Sequence, residues 1–486
     1  MKTVEFPQTT CRAGVARVDI TPPVGIYHRM WGAATHDRAT GIHRPLTATV
    51  LVLSAADADS SGDGASRQSL LLVAIDHCLL WHAEMASLLD ALVSASGLPR
   101  EQITVFFSHT HAAGLMGLER CELPGGDLIP DYLEQLAAKV SGAVKAAQQS
   151  VEPATISYGS GRCGLARNRD FFDSEADRFV CGFNPDGEAD DTVLVAKVVA
   201  ENSKGTLATI VNYACHPTTL AWDNTLISPD YPGAMREVVE AATDAPCFFL
   251  QGASGDIGPR DGFVGDVEVA DRNGRQLGYA VLSAIEELVP ANSHLAYTGA
   301  VVSGATIGTW GLQTDDGDRR TGTAEWTVGE REVALRFRDD LPQRDELLRE
   351  REDWQQKEQQ AAASGDEAAA RDARAMAERM TRRLVRVQHL PEGDSYQYPV
   401  RVWKLGDAVW VPLDGEHYNV LQRDLRAAFP GVPLVIGTLA NGSSVWYLPD
   451  RDSYGKGLYQ EDASTLAAGA LEALRDELIT EIRKLF

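Results

Sequence analysis

Between residues 12 and 300 the chain alternates short apolar runs with stretches of helical length, and few folds accommodate that alternation. Thr47–Ser54 and Ser69–Ile75 read as buried strands, because their apolar residues run on without a polar face. His82–Ser96 reads as a helix stopped by Gly97-Leu98-Pro99, and Ile103–Ser108 as the next strand. Leu128–Glu152 is a long helical stretch closed by Pro153. Thr192–Ala200 and Thr206–Ala214 read as two strands joined by a turn at Asn202-Ser203-Lys204-Gly205. A helix at Tyr231–Thr243 and a short buried strand at Cys247–Gln251 follow. The pattern predicts an α/β fold, a mixed β-sheet core flanked by helices, with functional residues at strand ends.

At Asp339 the composition changes. Residues 339–388 are dense in Glu, Arg, Gln and Ala, carry spaced apolar residues from Leu347 to Leu384, and break once at Ser364-Gly365-Asp366. They predict an antiparallel helical hairpin inserted into the core. It serves either as a solvated prop or as an arm for a partner or a second copy of the chain. Strands resume at Gln397–Lys404, Ala408–Pro412 and Pro433–Ile436, with helices near Tyr418–Phe429 and at Asp462–Leu485. A length of 486 residues allows one large domain or two smaller ones. The expectation is a single domain over 1–486 that carries the hairpin at 339–388.

The chain has 45 Lys and Arg against 69 Asp and Glu, a net charge of -24. That balance disfavours nucleic acid and anionic membrane surfaces as partners. No apolar signal segment opens the sequence and no stretch is long enough to span a bilayer, so a cytoplasmic protein without stable membrane association is expected. The seven cysteines are scattered and lack CxxC spacing, which fits reduced thiols. Cys215, among apolar neighbours, reads as a small buried hydrophobe rather than a nucleophile.

Ser108-His109-Thr110-His111 closes a strand-like run, and the small residues Ala112, Ala113 and Gly114 follow. Alternate residues of a strand share a face, so His109 and His111 are expected to point the same way. Two adjacent imidazoles with room for a ligand suit a metal or acid–base site. The bland alternative is one structural and one exposed histidine. His216 likewise ends an apolar strand, and Pro217 stops regular pairing beyond it. Glu416 follows the strand Val409-Trp410-Val411, presented by a turn at Gly415. Taken singly, His216 also reads as a structural histidine and Glu416 as a solvated loop carboxylate. Taken together, His, His and Glu at strand ends are a familiar zinc set, with a position left for water.

In this order the motifs resemble those of the neutral, non-lysosomal ceramidases, zinc-dependent amide hydrolases. Val18-Asp19-Ile20-Thr21-Pro22-Pro23 is similar to the family's N-terminal signature, and Ser108-His109-Thr110-His111 to its HTH motif. His216-Pro217, Gly255-Asp256-Ile257-Gly258-Pro259 and Gly415-Glu416 resemble its HP, GD and GE segments. The resemblance implies His109, His216 and Glu416 as zinc ligands, with Tyr447 as a fourth. It implies His111, Tyr459 and Arg169 as catalytic residues, Arg167 being the rival to Arg169 by register. The implied chemistry is attack of a zinc-bound hydroxide on an amide carbonyl, with fixed donors for the oxyanion. Asp76 and Asp256 either orient the ligand histidines or are turn carboxylates.

The sequence also departs from the family. Only 27 residues follow Tyr459, so the resemblance is to the catalytic part without the C-terminal immunoglobulin-like domain. Gly258 stands where the family has a serine, and Ala112-Ala113-Gly114 replaces its Ser-Gly-Pro. These differences point to a small-molecule amide, an N-acyl amine more soluble than ceramide. An ester or lactam hydrolase with the same zinc site is an alternative, as is a non-catalytic binding protein on this scaffold. A barrel-type amidohydrolase fits less well, because its HxH belongs near the N-terminus and needs further histidines. Homo-oligomers through the hairpin are a further expectation.

Overall fold

The computed structural model describes residues 2–56, 69–202 and 205–486. Eight strands form the larger sheet: β1 (Gln8–Asp19), β2 (Thr47–Ala55), β3 (Ser69–Ile75), β4 (Ile103–Phe107), β5 (Glu152–Arg162), β6 (Thr192–Ala200), β7 (Thr206–Tyr213) and β8 (Cys247–Gln251). Their order is β8-β7-β6-β5-β1-β2-β3-β4. Only the outermost pairs, β7–β8 and β3–β4, are parallel. A parallel pair needs a crossover, and each edge has one. Helix α1 (His82–Ser96) joins β3 to β4, with α2 (Ile129–Gln149) beside it. Helix α3 (Tyr231–Thr243) joins β7 to β8, and α4 (Val267–Glu286) packs against it.

A second sheet holds β9 (Trp326–Arg336), β10 (Ser395–Leu405), β11 (Ala408–Pro412) and β12 (Leu434–Gly437) in that order. The connection between the paired strands β9 and β10 is the helical hairpin α5 (Arg344–Ser364) and α6 (Glu367–Gln388). The two helices meet through Leu347, Met380 and Leu384. Helix α7 (Asn419–Ala428) crosses from β11 to the parallel β12, and α8 (Ala470–Arg483) packs beside it.

The strands' period-2 alternation sorts the core into layers. Leu51, Leu53, Phe106, Ile156 and Phe248 meet Trp403, Trp410 and Val435 between the sheets. Val50, Val52, Val73 and Val105 face α1 and α2, while Val193, Val211 and Phe249 face α3 and α4. On the far side, Val400, Val409 and Ile436 face α7 and α8. Helices therefore cover both outer faces of two packed sheets. Asn212 pins the sheets together, donating to Ile436 O at 2.8 Å and accepting from Ile436 N at 3.1 Å. Among the described residues no helix is long and apolar enough to cross a membrane.

Two expectations shift, and a third lies partly outside the described residues. The helix expected to reach Glu152 ends at Gln149, and Glu152 and Pro153 enter β5, where they pair with Ala13 and Arg12 of β1. The helix expected from Asp462 begins at Ala470, because Leu466 bridges to Phe337 and Ala467 N donates to Arg336 O at 2.8 Å. Ser203 and Lys204 of the expected turn lie outside the described residues, but the strands on either side pair antiparallel.

Candidate metal centre

The strand ends carry the site. β4 stops at Phe107, and the chain turns through His109, which has a left-handed φ of 66°. Such a conformation costs a histidine on the order of 1–3 kcal/mol and persists only where its surroundings over-determine it. The kink, not strand alternation, is what brings His109 and His111 together, with ring centroids 4.9 Å apart. The loop after β7 delivers His216. The two loops are clamped: Thr110 Oγ1 donates to Ser228 O at 2.8 Å, and His111 N to Pro217 O at 3.3 Å.

The segments after β11 and β12 of the second sheet supply Glu416 and Tyr447 as partners in a separate two-residue parallel ladder, Glu416–His417 with Tyr447–Leu448. Gly255, from the loop after β8, lies against this bridge. A Cβ there would stand 2.9 Å from the carbonyl oxygens of both Glu416 and His417, so only glycine allows the two sheets' loops to close on each other.

The geometry is compact and buried. His109 Nε2 lies 3.0 Å from His216 Nε2 and 3.2 Å from Glu416 Oε2, and the His216–Glu416 separation is 3.1 Å. Tyr447 Oη adds a fourth atom 3.3 Å from His216 Nε2. His109 Nδ1 reaches Cys78 O, and His216 Nδ1 reaches Ser254 O, each at 2.7 Å. A carbonyl only accepts, so both Nδ1 atoms carry the hydrogen and both Nε2 lone pairs face the centre. Two imidazole lone pairs and a carboxylate thus converge with one proton at most to share, and a cation satisfies all three. Tetrahedral zinc with ligands at about 2.0–2.1 Å spaces those ligands by roughly 3.3 Å. The observed spacing and donor set fit zinc.

Electrostatics follow from this crowding. Burial disfavours charge on His109, but the adjacent Cys78 and Glu416 outweigh it and raise its pKa well above the usual value. Burial alone would raise Glu416; His109 and His216 instead hold its carboxyl far below its usual range. Burial, then Arg169, lowers His216 to about 3. His111 is also pushed down, first by burial and then by the two neighbouring histidines. Burial and then Glu416 raise the Tyr447 phenol, while Arg169 opposes them. A bound divalent cation reverses the balance in favour of phenolate.

His109, His216, Glu416 and Tyr447 meet directly, with His111 Nε2 3.4 Å from His109 Nε2. Arg169 reaches the centre through Tyr447: Nη2 donates to its Oη at 3.1 Å and to Gly255 O at 2.6 Å. Arg167 turns back to Ala166 O instead. Tyr459 is half exposed at the mouth of the site, its ring 5.8 Å from that of Tyr447. Asp76 and Asp256 do not orient the histidines. Asp76 pairs with Arg236 through two bonds of 2.8 and 2.5 Å, and Asp256 accepts from Asn419 N and Asn168 Nδ2. The orienting groups are the main-chain carbonyls of Cys78 and Ser254. Trp31, its ring tilted by 36° at 5.3 Å from that of His111, lines the site as well.

A family model described as "Neutral/alkaline non-lysosomal ceramidase, N-terminal" matches residues 12–260, just over half of the chain. The chain belongs to the neutral/alkaline non-lysosomal ceramidase family. The ceramidase match contains His109, His111, Arg169 and His216 and ends before Glu416, Tyr447 and Tyr459. The fold is similar to that of the neutral ceramidase from Pseudomonas aeruginosa, with a TM-score of 0.62 at 15% identity, over 99% of this chain and 75% of that one. A ceramidase structure complexed with C2 gives 0.63 at 16% identity, over 99% and 76%. A search of curated protein sequences finds no match.

Proposed function

We propose that the chain is a zinc-dependent hydrolase that cleaves the linear amide bond of an N-acyl amine, acting as one unit across both sheets. The observation that carries this reading is the convergence of His109 Nε2, His216 Nε2 and Glu416 Oε2 within 3.2 Å, with both Nδ1 atoms already satisfied. Those three atoms and Tyr447 Oη would hold the ion. Bound there, zinc supplies Lewis acidity, bringing the pKa of a water to about 7 and polarising a carbonyl. Family membership supports amide hydrolysis as the reaction.

The remaining residues divide the other tasks. His111, its Nε2 3.4 Å from that of His109, is able to take the proton of the attacking water and return it to the leaving amine. Tyr459, half exposed with its ring 5.8 Å from that of Tyr447, would donate to the oxyanion that forms as the carbonyl is attacked. Arg169 acts through Tyr447, favouring a negative oxygen on the phenol.

Elemental mass spectrometry of the purified protein is the test. About one zinc per chain is expected in the wild type and almost none in His216→Ala, whose turnover of N-acyl amides disappears with the metal. A fully loaded, active variant removes His216 from the ligand set; a wild type that takes up no zinc sinks the reading. Tyr459→Phe is expected to keep its metal and lose roughly 10²-fold in kcat; an unchanged kcat excludes Tyr459 from the chemistry.

A further inference from the structure

The helical insertion lies against the metal-centre side of the body. One side of α6 closes over a cavity of ≈ 430 Å³ whose other walls include Asp170, Phe179, Tyr459 and Gln460. Since the Tyr459 ring is 5.8 Å from that of Tyr447, this cavity opens beside the centre. From α6 it receives Glu378, Arg379, Arg382 and Arg386.

The charges on this wall do not cancel. Glu378 is shared by Arg120 at 2.7 Å and Arg382 at 3.2 Å. Arg379 and Arg383 both pair with Asp462, at 3.1 and 2.8 Å. The oxygens of Asp170 are taken by Tyr418 Oη and Gln460 Nε2, each at 2.8 Å. Arg386 is left over. Its side chain makes no hydrogen bond or ion pair among the described residues, yet the residue is only 6% exposed and its Nε is buried without a partner. Its guanidinium lies over Trp446, with Cζ 4.8 Å from the ring centroid, and the Trp446 ring is itself flanked by that of Trp81 at 5.3 Å. Asp462, the carboxylate that feels the charge of Arg386, is already bonded to Arg379 and Arg383, and a buried cation so weakly countered is costly. A planar fork fixed on an aromatic face is organised in advance for a carboxylate. All this occurs in a chain of net charge -24, so the positive wall is local.

We propose that Arg386 determines specificity by receiving an anionic group of the substrate, so that the preferred substrate is an N-acyl amine bearing a carboxylate rather than an uncharged lipid amide. This inference rests on the hydrolase reading of the adjacent centre for the word substrate, but the anion site can be tested without turnover. N-octanoylglycine and N-octanoylglycinamide differ by a single charge. In isothermal titration calorimetry with the full-length protein, the acid is expected to bind at least tenfold tighter than the amide. Arg386→Met should erase that preference while leaving the amide's Kd within threefold, and Arg386→Lys should retain part of it. In turnover, the same ratio should appear in KM and not in kcat.

Equal binding of the two ligands by the wild type, or no binding of either, overturns the proposal. So does an equal loss on both in Arg386→Met, which marks a merely structural arginine. Preferential binding of the acid without cleavage of either compound upholds the anion site and removes the hydrolase reading. Should Arg386→Met fail to fold, Arg386→Gln keeps the hydrogen-bonding capacity, loses the charge, and carries the same comparison.

Discussion

The eight-stranded and four-stranded sheets each bring two residues to one centre, but they hold them by different means. His109 and His216 sit on loops after outer strands, and each ring is fixed separately by a main-chain carbonyl. Glu416 and Tyr447 are fixed together, as opposite residues in a two-residue bridge. The first arrangement sets ring orientation and tautomer; the second sets spacing. A cation at their meeting point therefore also joins the sheets, which adds its binding free energy to the stability of their contact.

The largest expected effect comes from removing the second sheet's carboxylate while leaving the first sheet's residues intact. Glu416→Ala keeps both imidazoles, their carbonyl partners and Tyr447, but two neutral imidazoles and a phenol without the carboxylate make a weak site. Metal content after dialysis should fall to a small fraction of the wild type, and kcat/KM by about 10³-fold or more, in line with the loss of a metal-activated nucleophile. Full metal content with near-normal activity would show that the ion is held without the second sheet's carboxylate, and the comparison between the sheets would collapse.

A smaller effect is expected at the seam. Asp256, after β8, accepts from Asn419 N at 2.6 Å, at the start of α7. Burial, and then the neighbouring Asp170, push its carboxyl up to about 7. A carboxyl raised on folding binds its proton more tightly in the native state. Its contribution is full below about pH 4 and is lost as the pH rises through about 7. Asp256→Asn should remove that dependence, flattening the stability profile between pH 4 and 7 by on the order of 3 kcal/mol. Denaturant unfolding of both proteins across this range is the measurement; parallel profiles would mean that the seam does not titrate through Asp256.

The same contrast explains what could be read in the sequence. Helices α1 and α3 agree with their expected limits because each is an amphipathic crossover with clear stops, such as Gly97, left-handed at φ 70°. Central strands were harder: Pro153 reads as a helix stop, yet it lies in β5, whose place in the sheet is set by pairing with distant β1. His109, His111 and His216 were legible as residue types at strand ends, although the left-handed kink that joins them was not. The Glu416–Tyr447 bridge is too short for any periodicity: Glu416 reads as a carboxylate after a strand, whereas Tyr447 is reached only through motif resemblance. Asp76 has the right chemistry to orient a histidine, but which cation stands beside it depends on α3, which supplies Arg236. Cys78 and Ser254 were invisible for a simpler reason: they act through carbonyl oxygens, which every residue possesses.

That last point yields the smallest predicted effect. Ser254 offers His216 Nδ1 two oxygens, its carbonyl at 2.7 Å and its hydroxyl at 3.2 Å. The hydroxyl is also engaged by Gln251 Nε2 at 2.5 Å, and that amide has a second acceptor in Cys215 O at 2.8 Å. Ser254→Ala therefore leaves the shorter bond to the histidine intact and the glutamine still partnered. Zinc content should be unchanged and kcat/KM within threefold of the wild type, whereas loss of a side chain that orients a metal ligand typically costs 10–100-fold. A loss of tenfold or more would transfer the orienting role from backbone to hydroxyl, and the loop after β8 would then hold its ligand through a residue type that sequence can reveal.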